Sequence, residues 1–296
     1  MGKDLYNILK IIAFVILNLL FEGVFFYWGN RLLDSLDAFS IFNFIPHNFK
    51  ENIYDVILTL ISIIAFVFFA HYILGGTGFK KIGIKPKIKL RVIFFGLGIV
   101  LLLVLPYVIF ILPLGYIAVI NPNFNAFYML LGLIFYSITA LNEELFFRGF
   151  MENELSKIVN TSLIIPISAL FFAANHFPNF GYLSNIYTAF SFTNIFLWGI
   201  IFSLCYRYSQ NIWFPTIVHL GFNSLRMFIG TGDQKYSLFN IRPVSEVAVL
   251  IDKYESLIWI TINIAVVLLL VSAISKRSKL SIKNHALAQV NVEQLT

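Results

Sequence analysis

The stretch AFYMLLGLIFYSITALNEELFFRGFMENEL, residues 126–155, decides the fold of this chain. Residues 126–142 carry no charged side chain, and a run of roughly 20 apolar residues can cross the hydrocarbon core of a bilayer as a helix. The run then ends in two adjacent glutamates, Glu143 and Glu144, followed by Arg148. Because charge near the bilayer is costly and marks functional groups by default, the stretch predicts a membrane helix with a functional cluster near one end.

The rest of the chain has the same membrane character. Hydrophobic residues make up 59% of its 296 positions and charged residues only 12%, whereas a soluble domain carries about 25% charged residues. The predicted membrane helices are 11–29, 53–74, 92–120, 126–155, 162–178, 186–206, 212–229 and 257–275. We expect the third to kink at Pro106 and Pro113.

These segments predict an all-α fold, a polytopic transmembrane bundle of about eight helices. The whole chain, 1–296, is expected to form one integral membrane domain with an intramembrane catalytic cavity. Its core would span about 126–229, flanked by the helices at 11–29, 53–74, 92–120 and 257–275. The polar tail at about 284–296 is predicted to be disordered.

The basic residues predict the orientation in the cell membrane. With both termini in the cytoplasm, fifteen Lys and Arg residues face the cytoplasm and five face the other side, as the positive-inside rule requires. Contact with anionic lipid headgroups then explains the net charge of +6, so no nucleic-acid partner is expected. The single Cys205 excludes an intramolecular disulfide and a cysteine-based metal site.

Polar side chains occur on three of the predicted helices, where a lipid-facing surface would not need them. They are Glu143, Glu144 and Arg148 in the fourth helix, His176 in FFAANHF of the fifth, and His219 and Asn223 in IVHLGFN of the seventh. Each group has a purely structural alternative. The first can be an interfacial ion pair, the second a helix-contact histidine, and the third an interhelical hydrogen bond.

Helix geometry gives the two glutamates different partners. Glu144 and Arg148 are four residues apart and share a face, whereas Glu143 lies about 100° round the helix and is left for another group or for water. A hairpin that turns near residues 160–161 puts Glu143 and His176 both roughly 23–26 Å from the turn. One polar layer inside the bundle is therefore expected.

This set of side chains is suited to amide hydrolysis. A carboxylate beside an imidazole can hold and deprotonate water, and a His and an Asn on one helix face can donate hydrogen bonds to a developing oxyanion. Glu143, His176 and His219 would also suffice as ligands for catalytic zinc, although the HExxH pattern is absent. The residues are thus compatible with two mechanisms, in which the attacking water is activated either by a carboxylate and an imidazole or by a zinc ion.

Three motifs together resemble the CPBP family of CAAX proteases and bacteriocin-processing enzymes, also called the Abi family. EELFFR at 143–148 resembles the family's EExxxR motif, FAANH at 172–176 resembles FxxxH, and HLGFN at 219–223 resembles HxxxN. The order and the helix placement also agree, over about 126–229. Each motif is short, but the three in series are specific.

The resemblance implies an intramembrane endopeptidase similar to the type II CAAX prenyl endopeptidases. Glu143 would activate water with His176, and His219 and Asn223 would form the oxyanion site. Glu144 and Arg148 would orient this group or contact substrate. Because the family has been described both as glutamate-dependent and as metal-dependent, no cofactor is certain and zinc stays open.

The expected substrate is a peptide or a membrane-anchored protein, of prenylated type or not. The main alternative is a membrane immunity or binding protein, such as a bacteriocin self-immunity factor, in which the same layer binds without cutting. A transporter with a Glu143–His176 relay is less favoured, because no matched pair of interrupted helices, as inverted repeats would give, is visible in the sequence.

Overall fold

The computed structural model describes residues 2–20, 47–73, 83–85, 89–106, 112–176, 186–230 and 237–293, with single positions 29, 31, 32, 35 and 109. Its helices are α1 (Gly2–Leu20), α2 (His47–Ile73), α3 (Leu90–Pro106), α4 (Ala126–Glu144), α5 (Glu152–Leu155), α6 (Thr161–Asn175), α7 (Ile186–Ser209), α8 (Trp213–Phe228) and α9 (Glu246–Glu293). Its strands are β1 (Tyr116–Ile120), β2 (Ile229–Gly230) and β3 (Phe239–Pro243).

The decisive stretch forms α4, a π-helical segment and α5 in unbroken succession. Asn125 caps α4, since its side chain accepts hydrogen bonds from the backbone N–H groups of Phe127 and Tyr128. Residues Leu145–Met151 then widen into a π-helix, all of them buried. The backbone N–H of Glu152 bonds to the carbonyl of Phe147, five residues earlier. Such segments are frequent at functional sites.

Helix α8, which carries His219 and Asn223, lies inside the bundle. It packs against α3, α4 and α7, and α7 in turn packs against α6, α9 and the π-helical segment. Helix α4, which carries the two glutamates, is therefore a direct neighbour of α8, which carries His219 and Asn223. This packing brings residues that are far apart in sequence to one place.

The predicted helix at 92–120 is wrong from residue 112 onward. Helix α3 ends at Pro106, a 3-10 turn follows at Leu112–Leu114, and Gly115 adopts a φ of +103° before β1 begins. Proline removes a backbone donor and clashes with the preceding turn. The run YIAVI of β1 is rich in β-branched residues, which suit a strand.

A small sheet links the N-terminal end of α4, which carries the two glutamates, to the C-terminal end of α8, which carries His219. Strand β1, which precedes α4, pairs antiparallel with β3, from Tyr116 opposite Pro243 to Ile120 opposite Phe239. Strand β2, which directly follows α8, pairs in parallel with β3. The order β1-β3-β2 places β3 in the centre. The sequence did not predict this sheet.

Helix α9 continues through Glu293 and so includes most of the tail that the sequence predicts to be disordered. The tail sequence NHALAQVNVE contains no proline or glycine. Extending an existing helix avoids the cost of nucleation, which gives a physical reason for this difference.

The predicted all-α membrane bundle is confirmed. Among the described residues, three helical stretches are long and apolar enough to cross a membrane, namely Ala126–Leu155, Thr188–Ser209 and Tyr254–Lys276. Large apolar side chains point outward, such as Ile64, Phe94 and Leu268, which are 67%, 64% and 65% exposed. A soluble monomer rarely exposes extended apolar surface, whereas lipid tails favour it.

Helices α6 and α7 approach closely at Gly199. A Cβ added there would lie 2.8 Å from the Cα of Ala169 and 2.9 Å from its Cβ, so Gly199→Ala forces the two backbones apart. We expect it to lower the free energy of unfolding by about 1–3 kcal/mol. The measurement is the unfolding midpoint of the purified protein in mixed detergent micelles.

Gly98 in α3 provides the matched control. A Cβ added at Gly98 meets no atom within 4 Å, so Gly98→Ala should be neutral or stabilise by about 0.4–1 kcal/mol through the unfolded chain. Equal midpoints for the two variants would contradict the close approach at Gly199.

Candidate active site

Glu143 and Glu144 end α4, immediately before the π-helical segment. The side chain of Glu144 is fully buried, whereas that of Glu143 is 14% exposed. The Glu144 carboxylate accepts two hydrogen bonds at a single oxygen, Oε1: one from Arg148 Nη1 at 3.1 Å and one from His219 Nδ1 at 3.0 Å. Glu144 therefore links helix α4 to helix α8.

Arg148 is fully buried and held on several sides. Its Nη2 donates to the backbone carbonyl of Gly199 at 2.8 Å, and its guanidinium carbon lies 4.7 Å from the ring centre of Phe172 and 5.3 Å from that of Phe202. A buried cation needs a paired carboxylate and further acceptors, and aromatic faces add cation–π attraction. These contacts fix the guanidinium beside Glu144.

His219 lies between the two glutamates. Because a carboxylate only accepts, the hydrogen bond to Glu144 requires that Nδ1 of His219 carry the proton. The other ring nitrogen, Nε2, lies 3.9 Å from Oε2 of Glu143, which is longer than a hydrogen bond. The ring stacks on Phe202 with centroids 4.4 Å apart. His219 is thus oriented by Glu144 and presents Nε2 towards Glu143.

His176 borders this cluster from the C-terminal end of α6. Its Nδ1 lies 2.8 Å from the backbone carbonyl of Phe172, so Nδ1 is the donor and the neutral ring has Nε2 as its acceptor nitrogen. Its ring is 4.9 Å from that of Phe172, whose own centroid is 6.0 Å from His219. The Phe172 ring therefore contacts both histidines.

Asn223 is half-buried and lies one turn beyond His219 on α8. The structure thus brings Glu143, Glu144, Arg148 and His219 into one contact cluster. His176 adjoins it through Phe172, and Asn223 follows on the helix that supplies His219. The sequence-predicted residues accordingly occupy one region of the bundle.

Sequence reasoning missed the hydrogen bond between Glu144 and His219. It paired Glu144 with Arg148, and it assigned His219 to the oxyanion site or to a zinc ligand set. It also missed Gly199 and Phe202 of α7, which hold Arg148 and His219. A small residue within an apolar helix marks a close helix approach, so the glycine in WGIIFS was an available signal.

The described side chains do not fit a zinc ion in this arrangement. Within the described part of the chain, no three His, Cys, Asp or Glu side chains form a group that could hold a metal ion. The predicted set of Glu143, His176 and His219 is therefore not gathered as ligands.

Comparison with known families places the cluster in context. Residues 124–225 match the profile described as Type II CAAX prenyl endopeptidase Rce1-like. This segment resembles the Rce1-like family. The Rce1-like segment contains all six predicted site residues, and the match indicates a CAAX-type membrane protease with a peptide or protein substrate. The suspected family is thereby confirmed, whereas curated proteins and solved structures give no match.

Proposed function

We propose that this protein is an intramembrane endopeptidase that cleaves a peptide bond with a water activated by glutamate and histidine. The observation that carries the proposal is the placement of His219 between Glu143 and Glu144, inside the Rce1-like segment. A buried carboxylate that fixes the tautomer of an imidazole is a recurrent arrangement in hydrolases. The Rce1-like match favours cleavage over a binding or immunity role.

The proposed steps assign one task to each side chain. Glu143, assisted by His176, takes a proton from water as the water oxygen attacks the carbonyl carbon of the scissile bond. His219, doubly protonated and held by Glu144, donates from Nε2 to the developing oxyanion together with Asn223. The proton taken by Glu143 then passes to the amide nitrogen as the C–N bond breaks, releasing an amine and a carboxylate.

The proposed substrate is a membrane-associated protein or peptide of the prenylated type. The family description names CAAX prenyl endopeptidases, and a prenyl chain would hold such a substrate at the bilayer. The apolar outer surface supports a site reached from the membrane. Both termini are proposed to lie in the cytoplasm, as the distribution of basic residues predicts.

Comparison of membrane peptidomes tests the proposal. Cells that produce the wild type are compared with cells that produce Glu143→Gln. The purified wild type is also given a fluorogenic peptide in which the fourth residue from the C-terminus is a farnesylated cysteine. We expect some membrane peptides to appear only in cells that produce the wild type. We also expect the purified wild type to cleave the reporter on the C-terminal side of the modified cysteine. Identical peptidomes and an uncleaved reporter would refute the function.

Chelation provides a separate prediction about mechanism. Because the described residues do not gather three metal donors, we expect the purified protein to keep its cleavage rate after treatment with EDTA or 1,10-phenanthroline. Metal analysis of the same sample is the accompanying measurement. Loss of activity that added zinc restores would contradict the water-only mechanism and leave the protease assignment intact.

A further inference from the structure

Helix α7 places an aromatic ring flat against His219, although α7 carries none of the three motifs. The rings of Phe202 and His219 have centroids 4.4 Å apart and planes only 17° from parallel. Phe202 is 1% exposed, so its ring belongs to the interior of the bundle. The proposed steps give Phe202 no task, yet it covers one face of a proposed catalytic imidazole.

The stack and the hydrogen bond to Glu144 restrict the His219 ring in different ways. The bond from Nδ1 to Oε1 of Glu144, at 3.0 Å, selects which edge of the ring faces Glu144. It leaves the tilt of the ring loosely defined, because hydrogen bonds tolerate a range of angles and the ring torsion of histidine is broad. A flat aromatic neighbour restricts the tilt. Together the two contacts define where Nε2 lies, 3.9 Å from Oε2 of Glu143.

Phe202 is itself held by its surroundings. Its ring centre lies 5.4 Å from that of Trp198 and 5.9 Å from that of Phe172, with the Phe172 ring nearly perpendicular at 85°. Gly199, three residues earlier and on the same helix face, is where α7 meets Ala169 of α6 most closely. A shift of the Phe202 ring would therefore displace other rings, and a shift of its backbone would displace α6.

The Phe202 ring contacts both donors to the Glu144 carboxylate. The guanidinium carbon of Arg148 lies 5.3 Å from its centre, and Nη2 of Arg148 donates to the carbonyl of Gly199 one turn away on the same helix. The Arg148 and His219 side chains, which share Oε1 of Glu144, are thus both supported by one face of α7.

We propose that Phe202 is a positioning residue that fixes the plane of the His219 ring and so keeps Nε2 directed towards Glu143. Phe202 touches no reacting atom in the proposed steps and acts only through His219. The consequence for catalysis rests on the proposed function, because it requires that His219 take part in cleavage. The effect on the ring itself does not.

Exchange of the Nδ1 proton of His219 with water tests the positioning without turnover. The chain has five histidines, so their ring N–H signals in ¹⁵N-labelled protein in micelles can be assigned by single substitutions. Phe202→Leu removes the flat face and keeps much of the apolar volume. We expect exchange to become about 2–10-fold faster, the value of one aromatic pair, because a ring that can tilt leaves Glu144 more often. An unchanged rate in the folded variant would overturn the inference.

Phe214 offers the matched control on the helix that carries His219. It is fully buried, and its ring packs against Phe95 and Tyr208, at 5.7 Å and 5.9 Å. Phe214→Leu removes the same atoms from the interior and should leave the exchange of His219 unchanged. Equal acceleration in both variants would indicate general loosening and overturn the inference.

A second substitution covers the case in which Phe202→Leu does not fold. Phe202→Met fills the space with a flexible side chain and also lacks a flat face. Faster exchange at His219 is then expected in Phe202→Met, and a wild-type rate would overturn the inference.

Kinetics on the farnesylated reporter separates positioning from substrate binding. We expect Phe202→Leu to lower kcat by about 10–100-fold with KM unchanged, since a small misplacement of a catalytic group is costly. Phe214→Leu should keep the wild-type kcat. An unchanged kcat in Phe202→Leu, with or without a raised KM, would overturn the inference, and so would an equal loss in Phe214→Leu.

Failure of the proposed function has a different signature. In that case the wild type cleaves neither the reporter nor any peptide found in the peptidome comparison. The exchange rates of His219 in Phe202→Leu and Phe214→Leu still decide whether Phe202 fixes the ring.

Discussion

Glu143→Gln is expected to lower kcat/KM for peptide cleavage by about 10²–10⁴-fold, the range typical of a lost general base. Glutamine keeps the size of the side chain but cannot take a proton from water. Because Glu143 is 14% exposed and glutamine matches its size, the protein should still insert and fold. Initial rates on the farnesylated reporter, together with the unfolding midpoint, give the measurement.

The control is a glutamate that is also half-buried but lies outside the site. Glu255 in α9 accepts a hydrogen bond from Nε1 of Trp259 at 3.0 Å, and Glu255→Gln should keep near wild-type cleavage. His176→Ala should abolish cleavage as Glu143→Gln does. Unchanged cleavage by a folded Glu143→Gln variant would remove Glu143 from the mechanism.

Arg148→Met is expected to lower the free energy of unfolding by about 3–5 kcal/mol, because it leaves a buried carboxylate without its cation. Glu144 is completely buried, and the Gly199 carbonyl also loses its donor from Nη2. Methionine fills much of the space of the aliphatic part of the arginine side chain. The lost stability therefore reflects the missing charge more than the change in side-chain volume. Unfolding in mixed micelles measures the effect.

Two further variants decide whether charge is the cause. Lys157→Met removes a cation whose side chain is 40% exposed, and its partner Glu154 keeps a second cation, Lys10, at 3.4 Å; we therefore expect a smaller loss of stability than for Arg148→Met. The double variant Glu144→Gln/Arg148→Met removes both buried charges and should recover part of the lost stability. A double variant less stable than Arg148→Met alone would contradict the buried-pair explanation.

The sequence predicted those contacts that lie within one helix. Glu144 and Arg148 meet because residues four apart share a helix face, so their pairing follows from spacing alone. The hydrogen bond from His219 to Glu144 joins residues 75 positions apart. This hydrogen bond depends on the rotation of α8 about its axis and on the axial position of α8 relative to α4. The spacing of apolar residues in the sequence does not determine either quantity to within an ångström.

The errors in the fold have a similar origin. The apolar run at 116–120 fits a membrane helix or a strand equally well, because a short apolar run does not distinguish them by periodicity. Its partner β3 lies more than a hundred residues away. The π-helical segment was also not predicted, since its wider hydrogen-bond pattern carries no marker in the residues LFFRGFM.

The three-stranded sheet sets the relative axial position of the two helices that carry the site, although the sheet itself lies outside the site. Strand β1 leads into the helix of the glutamates, β2 follows the helix of His219, and both are paired to β3. A slip of one residue along a strand is about 3.3 Å, longer than the 3.0 Å hydrogen bond between His219 and Glu144. The vertical alignment of the two helices is thus set by strand register, at a distance of several helical turns from the atoms that it aligns.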